Sequence, residues 1–252
     1  MKLKTFLRKY LCKNDIRVAQ GIVANELKRI HGHTVAYGIF KGMKLSDKAW
    51  WGDDLPTKIL GEYERHVQEK LKELSRSSKI LIDIGAADGF FAIGCLVSNL
   101  YEKVVCFEIS DEGRELLVAN AKANQVDERI VVKGEAAKES LRNIVANLES
   151  AVILCDIEGA EFDLFSEELL KILNKCYIVI ELHESAMIKG QEMVAQLGNS
   201  ASKYFDVDFI YPLDININKY KELNSFHDNY RLLAFSEGRG VSMRWMVLSP
   251  KT

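Results

Sequence analysis

The sequence predicts an α/β fold: a doubly wound, mostly parallel sheet with an antiparallel pair of strands at one edge. Three observations predict it. From residue 79 onward, β-branched apolar runs alternate with amphipathic, helix-like segments, the order expected of strands joined by crossover helices. The first run leads into the glycine-rich turn "DIGAADG", residues 83–89, and the second ends at an acid, Glu108, giving the succession strand, glycine turn, helix, strand, acid. Two apolar runs close the chain with a long polar stretch between them, which suggests an antiparallel pair at one edge of the sheet.

Residues 1–75 show no βα pattern and read as an N-terminal helical and irregular extension packed on the core; residues 76–252 read as the sheet domain. "HTVAYGIFKGMKLSDKAWWGDD" mixes glycines and aromatics and reads as irregular or hairpin-like. "LPTKILGEYERHVQEKLKELS" puts Ile59, Tyr63, Val67, Leu71 and Leu74 on one stripe of a single helix, with Pro56 in its first turn. Strands are expected at 79–84, 103–108, 129–133, 151–156 and 176–182. Helices are expected between them, over "GFFAIGCLVSNL", "DEGRELLVANAKANQ" with Ser110 as N-cap, "EAAKESLRNIVANLES" and "EFDLFSEELLKILNK". A helical stretch at 188–204 precedes "FDVDFIY", and "MRWMVLSP" supplies the last strand. The intervening residues 212–240 are expected to form a substrate loop over the strand ends.

A chain of 252 residues buries roughly three quarters of its unfolded surface, enough for one sizeable core. The formal net charge is −2, so the overall field draws the chain neither to nucleic acid nor to an anionic membrane; a small-molecule or glycan partner is favoured. No apolar run reaches the ~18 residues of a membrane span. The start, "MKLKTFLRKYLCKN", reads as a solvated basic helix rather than a surface anchor. Cys12, Cys95, Cys106, Cys155 and Cys176 lack CxxC spacing, and three lie in apolar runs, so they read as buried free thiols of a cytoplasmic protein.

In the turn, Asp83 is followed by Gly85, Ala87 and Gly89 at alternate positions, then Phe90 opens the helix. Small residues let the backbone approach a ligand, and the helix start offers free N–H groups, although a tight strand-to-helix connection needs small residues for packing alone. A carboxylate beside the turn suits a cationic amine better than a pyrophosphate, which favours S-adenosyl-L-methionine, with S-adenosyl-L-homocysteine as product, over a dinucleotide. Glu108 stands where an acid accepts hydrogen bonds from ribose hydroxyls in either cofactor, with Ile109 next to it. Glu135 and Ala136, after the third strand, suit either an adenine edge or a plain helix start.

These residues, "DIGAADG", "FEIS", "LCDIEGAEFDLF" and "IVIELHE", resemble the FkbM-type family of S-adenosylmethionine-dependent methyltransferases, in ordered motifs over roughly residues 79–185. The preceding "AYGIFKGMKL" through "KILGEYE" resembles extensions of family members from surface-polysaccharide clusters. The resemblance implies a class I methyltransferase (Rossmann-like) fold, a doubly wound seven-stranded, mostly parallel sheet with an antiparallel last strand, and O-methylation, commonly of a sugar or natural-product hydroxyl. It also implies Asp83, Gly85, Gly89 and Glu108 at the cofactor and Asp156 near the transferred methyl. Ala87 departs from the pattern, since many methyltransferases have glycine there.

Methyl transfer to a hydroxyl requires alignment of oxygen, methyl and sulfur, and a group that takes the hydroxyl proton. Asp156 ends the fourth strand, and Glu181 and His183 end the fifth, so the three are expected to converge if the strands are neighbours. His183 is the first candidate for the base because a histidine titrates near neutrality. The same three residues suit Mg²⁺ or Mn²⁺, but a divalent metal is not favoured over a base. Glu158 and Glu161, which flank Gly159, read as charges stabilising a helix start, although Glu161 could help form the site. Trp50 and Trp51 with Asp53 and Asp54 suit a sugar ring or an anchoring role, and Arg239, Arg244 and His227 an anionic glycan or plain solvation. His31, His33 and His66 have no assigned role. The alternatives are a nicotinamide-dependent oxidoreductase, which would use the same turn and Glu108, and a non-catalytic cofactor-binding partner protein.

Overall fold

A computed structural model of the protein describes residues 2–46, 54–237 and 243–251, with the side chains of residues 2–15 and 17 left aside. Trp50, Trp51, Asp53 and Arg239, and the side chain of Cys12, lie outside the described residues. The chain divides into two compact units, Met1–Arg65 with Asp214–Gly240, and His66–Leu213 with Val241–Thr252.

The second unit is the sheet. Its strands are β1 (Ile80–Ile84), β2 (Lys103–Phe107), β3 (Ile130–Lys133), β4 (Val152–Cys155), β5 (Tyr177–Glu181), β6 (Phe205–Ile210) and β7 (Trp245–Pro250), in the order β3-β2-β1-β4-β5-β7-β6. β1 pairs in parallel with β2 and β4, β2 with β3 and β4 with β5, whereas β7 runs antiparallel between β5 and β6. The central strands are continuous apolar runs because helices cover both faces; β4 is buried along its whole length. Ile82, Phe107, Ile153, Ile178, Leu197 and Met246 belong to one core cluster, each side chain contributing about 1.5–3 kcal/mol by its burial.

The first unit opens with α1 (Lys2–His31), and Thr34 and Lys44 form an isolated antiparallel bridge, the hairpin-like turn the glycines suggest. The single helix expected over 55–74 is two: α2 (Leu55–Leu60) and α3 (Arg65–Leu74). Gly61 caps α2 in the left-handed region at φ 71°, with its N–H donating to Lys58, and the close approach of Tyr37 leaves no room for a side chain there. The N-terminal part of the first compact unit runs to Arg65. Of the segment 212–240, expected as an insertion of the sheet domain, the part from Asp214 onward belongs to the first unit, where Val23, Leu27, Ile59 and Leu60 share a core with Tyr220, Leu223 and Ala234. Tyr220 donates to Glu62 there, and His31 pairs with Glu222 at 2.9 Å.

The remaining helices of the sheet unit are α4 (Phe90–Val97), α5 (Asp111–Ala123), α6 (Lys138–Val145), α7 (Glu161–Leu164), α8 (Glu167–Ile172) and α9 (Gly190–Ala201); α10 (Asp228–Leu233) belongs to the first unit. Ser110 caps α5 as expected, accepting from Gly113 N–H at 3.3 Å. The helix expected over 161–175 is interrupted because Ser166 caps a new one, α8, accepting from Leu169 N–H. Cys95, Cys106, Cys155 and Cys176 are buried free thiols, which burial holds above the ordinary cysteine value. Among the described residues no helix is long and apolar enough to cross a membrane.

Candidate active site

The glycine turn joins β1 to α4 with three residues in the left-handed region, Gly85 at φ 84°, Ala87 at 47° and Gly89 at 86°. Gly85 is required by contact as well as by conformation. β1 and β4 are neighbours, and a Cβ at Gly85 would collide with the backbone carbonyl oxygen of Asp156. Both oxygens of Glu108 hold the turn and its surroundings from the end of β2: one accepts from Ala87 N–H and the other from Ser110 N–H, each at 2.8 Å. Asp83 is buried, and its carboxyl accepts a hydrogen bond from the backbone of Ala92. Burial, together with nearby Glu108 and Asp88, raises it from the ordinary 3.8 to about 7 despite that bond.

The second part of the site lies at the ends of β4 and β5, where His183 gathers four carboxylates. Its Nε2 lies 3.5 Å from Asp156, 3.4 Å from Glu158 and 3.8 Å from Glu181, while Nδ1 lies 3.3 Å from Glu161. Glu161, at 0% exposure, ties two loops together: it accepts the backbone N–H of Gly159 at 2.8 Å and that of His183 at 3.0 Å. Burial alone would push Glu161 up, but its bonds from His183 hold it below the ordinary carboxylate value. For His183 burial acts downward, and the hydrogen bond to Glu161 with the charges of Glu181, Glu161 and Glu158 outweighs it, so the imidazole titrates above 6.5.

Of the residues singled out in the sequence, Gly85, Ala87, Gly89, Asp83 and Glu108 assemble around one turn, and Asp156, Glu181 and His183 converge as the strand register requires. Phe90 is buried against Phe91, so its backbone is what the turn presents. Ile109 is 75% exposed beside Glu108, Glu135 is exposed, and Ala136 is half-buried against the core. Arg244 is engaged by a bidentate pair with Glu184, at 2.7 and 2.9 Å, and lies over the Phe209 ring. The two residues under-read in the sequence are Glu158 and Glu161. Their signal was the spacing in "DIEGAE", where Gly159 at φ 107° turns the chain so that Glu161 faces inward to His183.

Neither a protein-family model nor a curated protein sequence matches the chain. Solved structures do resemble it. A putative O-methyltransferase from Klebsiella pneumoniae has a TM-score of 0.51 at 11% identity, over 92% of this chain and 90% of that one. The O-methyltransferase from Bacillus cereus, solved with S-adenosylhomocysteine, has a TM-score of 0.47 at 14% identity, over 72% of this chain and 80% of that one. A tRNA methyltransferase from B. subtilis has a TM-score of 0.48 at 10% identity, over 73% and 64%. The likeness at these identities is one of fold: the sheet unit has the class I fold of S-adenosylmethionine-dependent methyltransferases.

Proposed function

We propose that the protein is an S-adenosylmethionine-dependent O-methyltransferase of FkbM type, acting on a hydroxyl of a saccharide or glycosylated metabolite. The observation that carries this reading is the packing of Gly85 on the carbonyl of Asp156, which puts the glycine turn directly beside the acidic and imidazole groups at the ends of β4 and β5. A cofactor held on the turn would have its reactive end at those groups. The antiparallel β7 between β5 and β6 departs from the 3-2-1-4-5-6 order of dinucleotide-binding folds, which weighs against the oxidoreductase alternative.

Each residue has a role in this reading. The turn from Gly85 to Gly89 and the backbone of Phe90 approach the methionyl end, with Asp83 beneath them. Glu108 and Ile109 meet the ribose and base side, with Glu135 and Ala136 at the adenine edge. S-adenosyl-L-methionine supplies an electrophilic methyl on a cationic sulfur. The chain aligns the acceptor oxygen, excludes water and disposes of the hydroxyl proton through the group of Asp156, Glu181 and His183. The test is release of S-adenosylhomocysteine from S-adenosylmethionine in the presence of a panel of saccharide acceptors. Asp156→Asn is expected to lower turnover by about 10²-fold or more while leaving S-adenosylhomocysteine binding within a few-fold. Equal loss of binding and turnover would contradict the assigned division of labour.

A further inference from the structure

We propose that α1 carries, on the side away from its packed face, a docking surface for an anionic lipid membrane, with the helix lying along the bilayer interface. α1 is held in the first unit by Ala19, Val23 and Leu27, and the last two share the core with Ile59, Leu60 and Tyr220. Val18 and Ile22, on the other side of the same turns, are 64% and 47% exposed. One large apolar side chain left in water is ordinary, but two that follow each other one helical turn apart make a stripe.

The sequence ahead of Val18 continues the stripe. Leu3, Leu7 and Leu11 recur one turn apart and Val18 follows two turns on, so all share the phase of Val18 and Ile22 in a helix unbroken from Lys2 to His31. Taken as a short segment, the start of the chain reads as a solvated basic helix; carried on to Ile22, its apolar phase is about 29 Å long. Lys2, Lys4, Arg8, Lys9 and Lys13 all precede the first acid, Asp15, and at helical spacing Lys4 and Arg8 fall to one side of the stripe and Lys13 to the other. An apolar stripe flanked by basic residues suits an anionic bilayer, where apolar groups enter the headgroup boundary and cations meet lipid phosphates. A nucleic acid would use the charges and leave the apolar stripe in water, and a second copy on the same stripe would set basic flank against basic flank. Basic residues outnumber acidic ones in the first unit and acidic outnumber basic in the second, so the small net charge of the whole chain conceals this patch. Membrane docking stands apart from the methyl-transfer reading, because none of these residues has a part in it.

The experiment is flotation of the full chain with vesicles of equimolar phosphatidylcholine and phosphatidylglycerol, and with vesicles of phosphatidylcholine alone, alongside sedimentation velocity without lipid. Binding to the mixed vesicles is expected, at least about tenfold tighter than to phosphatidylcholine alone. Combining Lys4→Gln, Arg8→Gln and Lys13→Gln is expected to weaken it about a hundredfold. Val18→Gln with Ile22→Gln, at exposed positions where glutamine keeps the helix, is expected to weaken it about tenfold, with circular dichroism confirming that the helix persists. A folded chain that ignores the mixed vesicles would overturn the docking surface. So would binding unchanged by Val18→Gln with Ile22→Gln, which would mean adsorption by charge alone. Self-association without lipid that the same pair of substitutions abolishes would assign the stripe to a second copy and equally overturn it.

Discussion

A methyl group at position 85 would meet the carbonyl of Asp156, and the backbone there is at φ 84°, so two costs coincide at one residue. Left-handed backbone costs a non-glycine residue about 1–2 kcal/mol, and an overpacked contact a further 1–3 kcal/mol. Gly85→Ala is therefore expected to lower unfolding free energy by about 3 kcal/mol, measured by urea denaturation, and to weaken cofactor binding. Ala87 occupies the same backbone region, at φ 47°, and is only half-buried. Asp83 makes a pH-dependent prediction. Its folded value of about 7 lies above the 3.8 of the unfolded chain, so the folded form holds the proton more tightly. The stability this contributes is complete below pH 3.8 and is lost as the pH rises through about 7, at roughly 1.4 kcal/mol per unit and on the order of 4 kcal/mol in all. Asp83→Asn, whose carbonyl can still accept from Ala92, is expected to flatten that part of the stability curve. An unchanged slope would mean that Asp83 is ionised in the fold.

At the scale of elements, Glu161 links the β4 and β5 loops through Gly159 and His183. Glu161→Ala would strand two buried N–H donors and remove the imidazole's partner, at an expected cost of about 3 kcal/mol by urea denaturation. A change below 1 kcal/mol would mean that the loops hold each other by other contacts. The strands are legible in the sequence because strands covered on both faces read as unbroken apolar runs, and all seven lie within a residue or two of where the runs place them. The convergence of Asp156, Glu181 and His183 is legible for a related reason: strand-end positions two residues apart share a face once neighbouring strands are assumed. Helix interruptions are harder to read. Gly61 and Ser166 sit inside stretches that read as single helices, and only the left-handed cap that ends one helix at Gly61 and the hydroxyl cap that starts a new one at Ser166 divide them. The inward turn of Glu161 was similarly hidden, because a glutamate after Gly159 fits an exposed helix start as well as a buried one.

At the scale of the molecule, apolar pattern alone does not show which distant segments pack together. Residues 212–240 are polar enough to read as a loop, yet Tyr220, Leu223 and Ala234 complete a core with Val23, Leu27, Ile59 and Leu60, more than 150 positions away in the sequence. Pairings that distant leave no local periodicity to detect. Within the sheet unit, by contrast, the order of strands determines which ends adjoin, and the β1–β4 pairing brings the glycine turn to the Asp156 end of the sheet. In the proposed function this turn and Glu108 bind the adenosyl cofactor of a methyltransferase. Calorimetric titration of the full chain with S-adenosylhomocysteine and, in parallel, NADH tests it most directly. Micromolar binding of S-adenosylhomocysteine, lost on Glu108→Ala, and none of NADH is expected. Binding of NADH, or failure of S-adenosylhomocysteine to bind a folded chain, would contradict it.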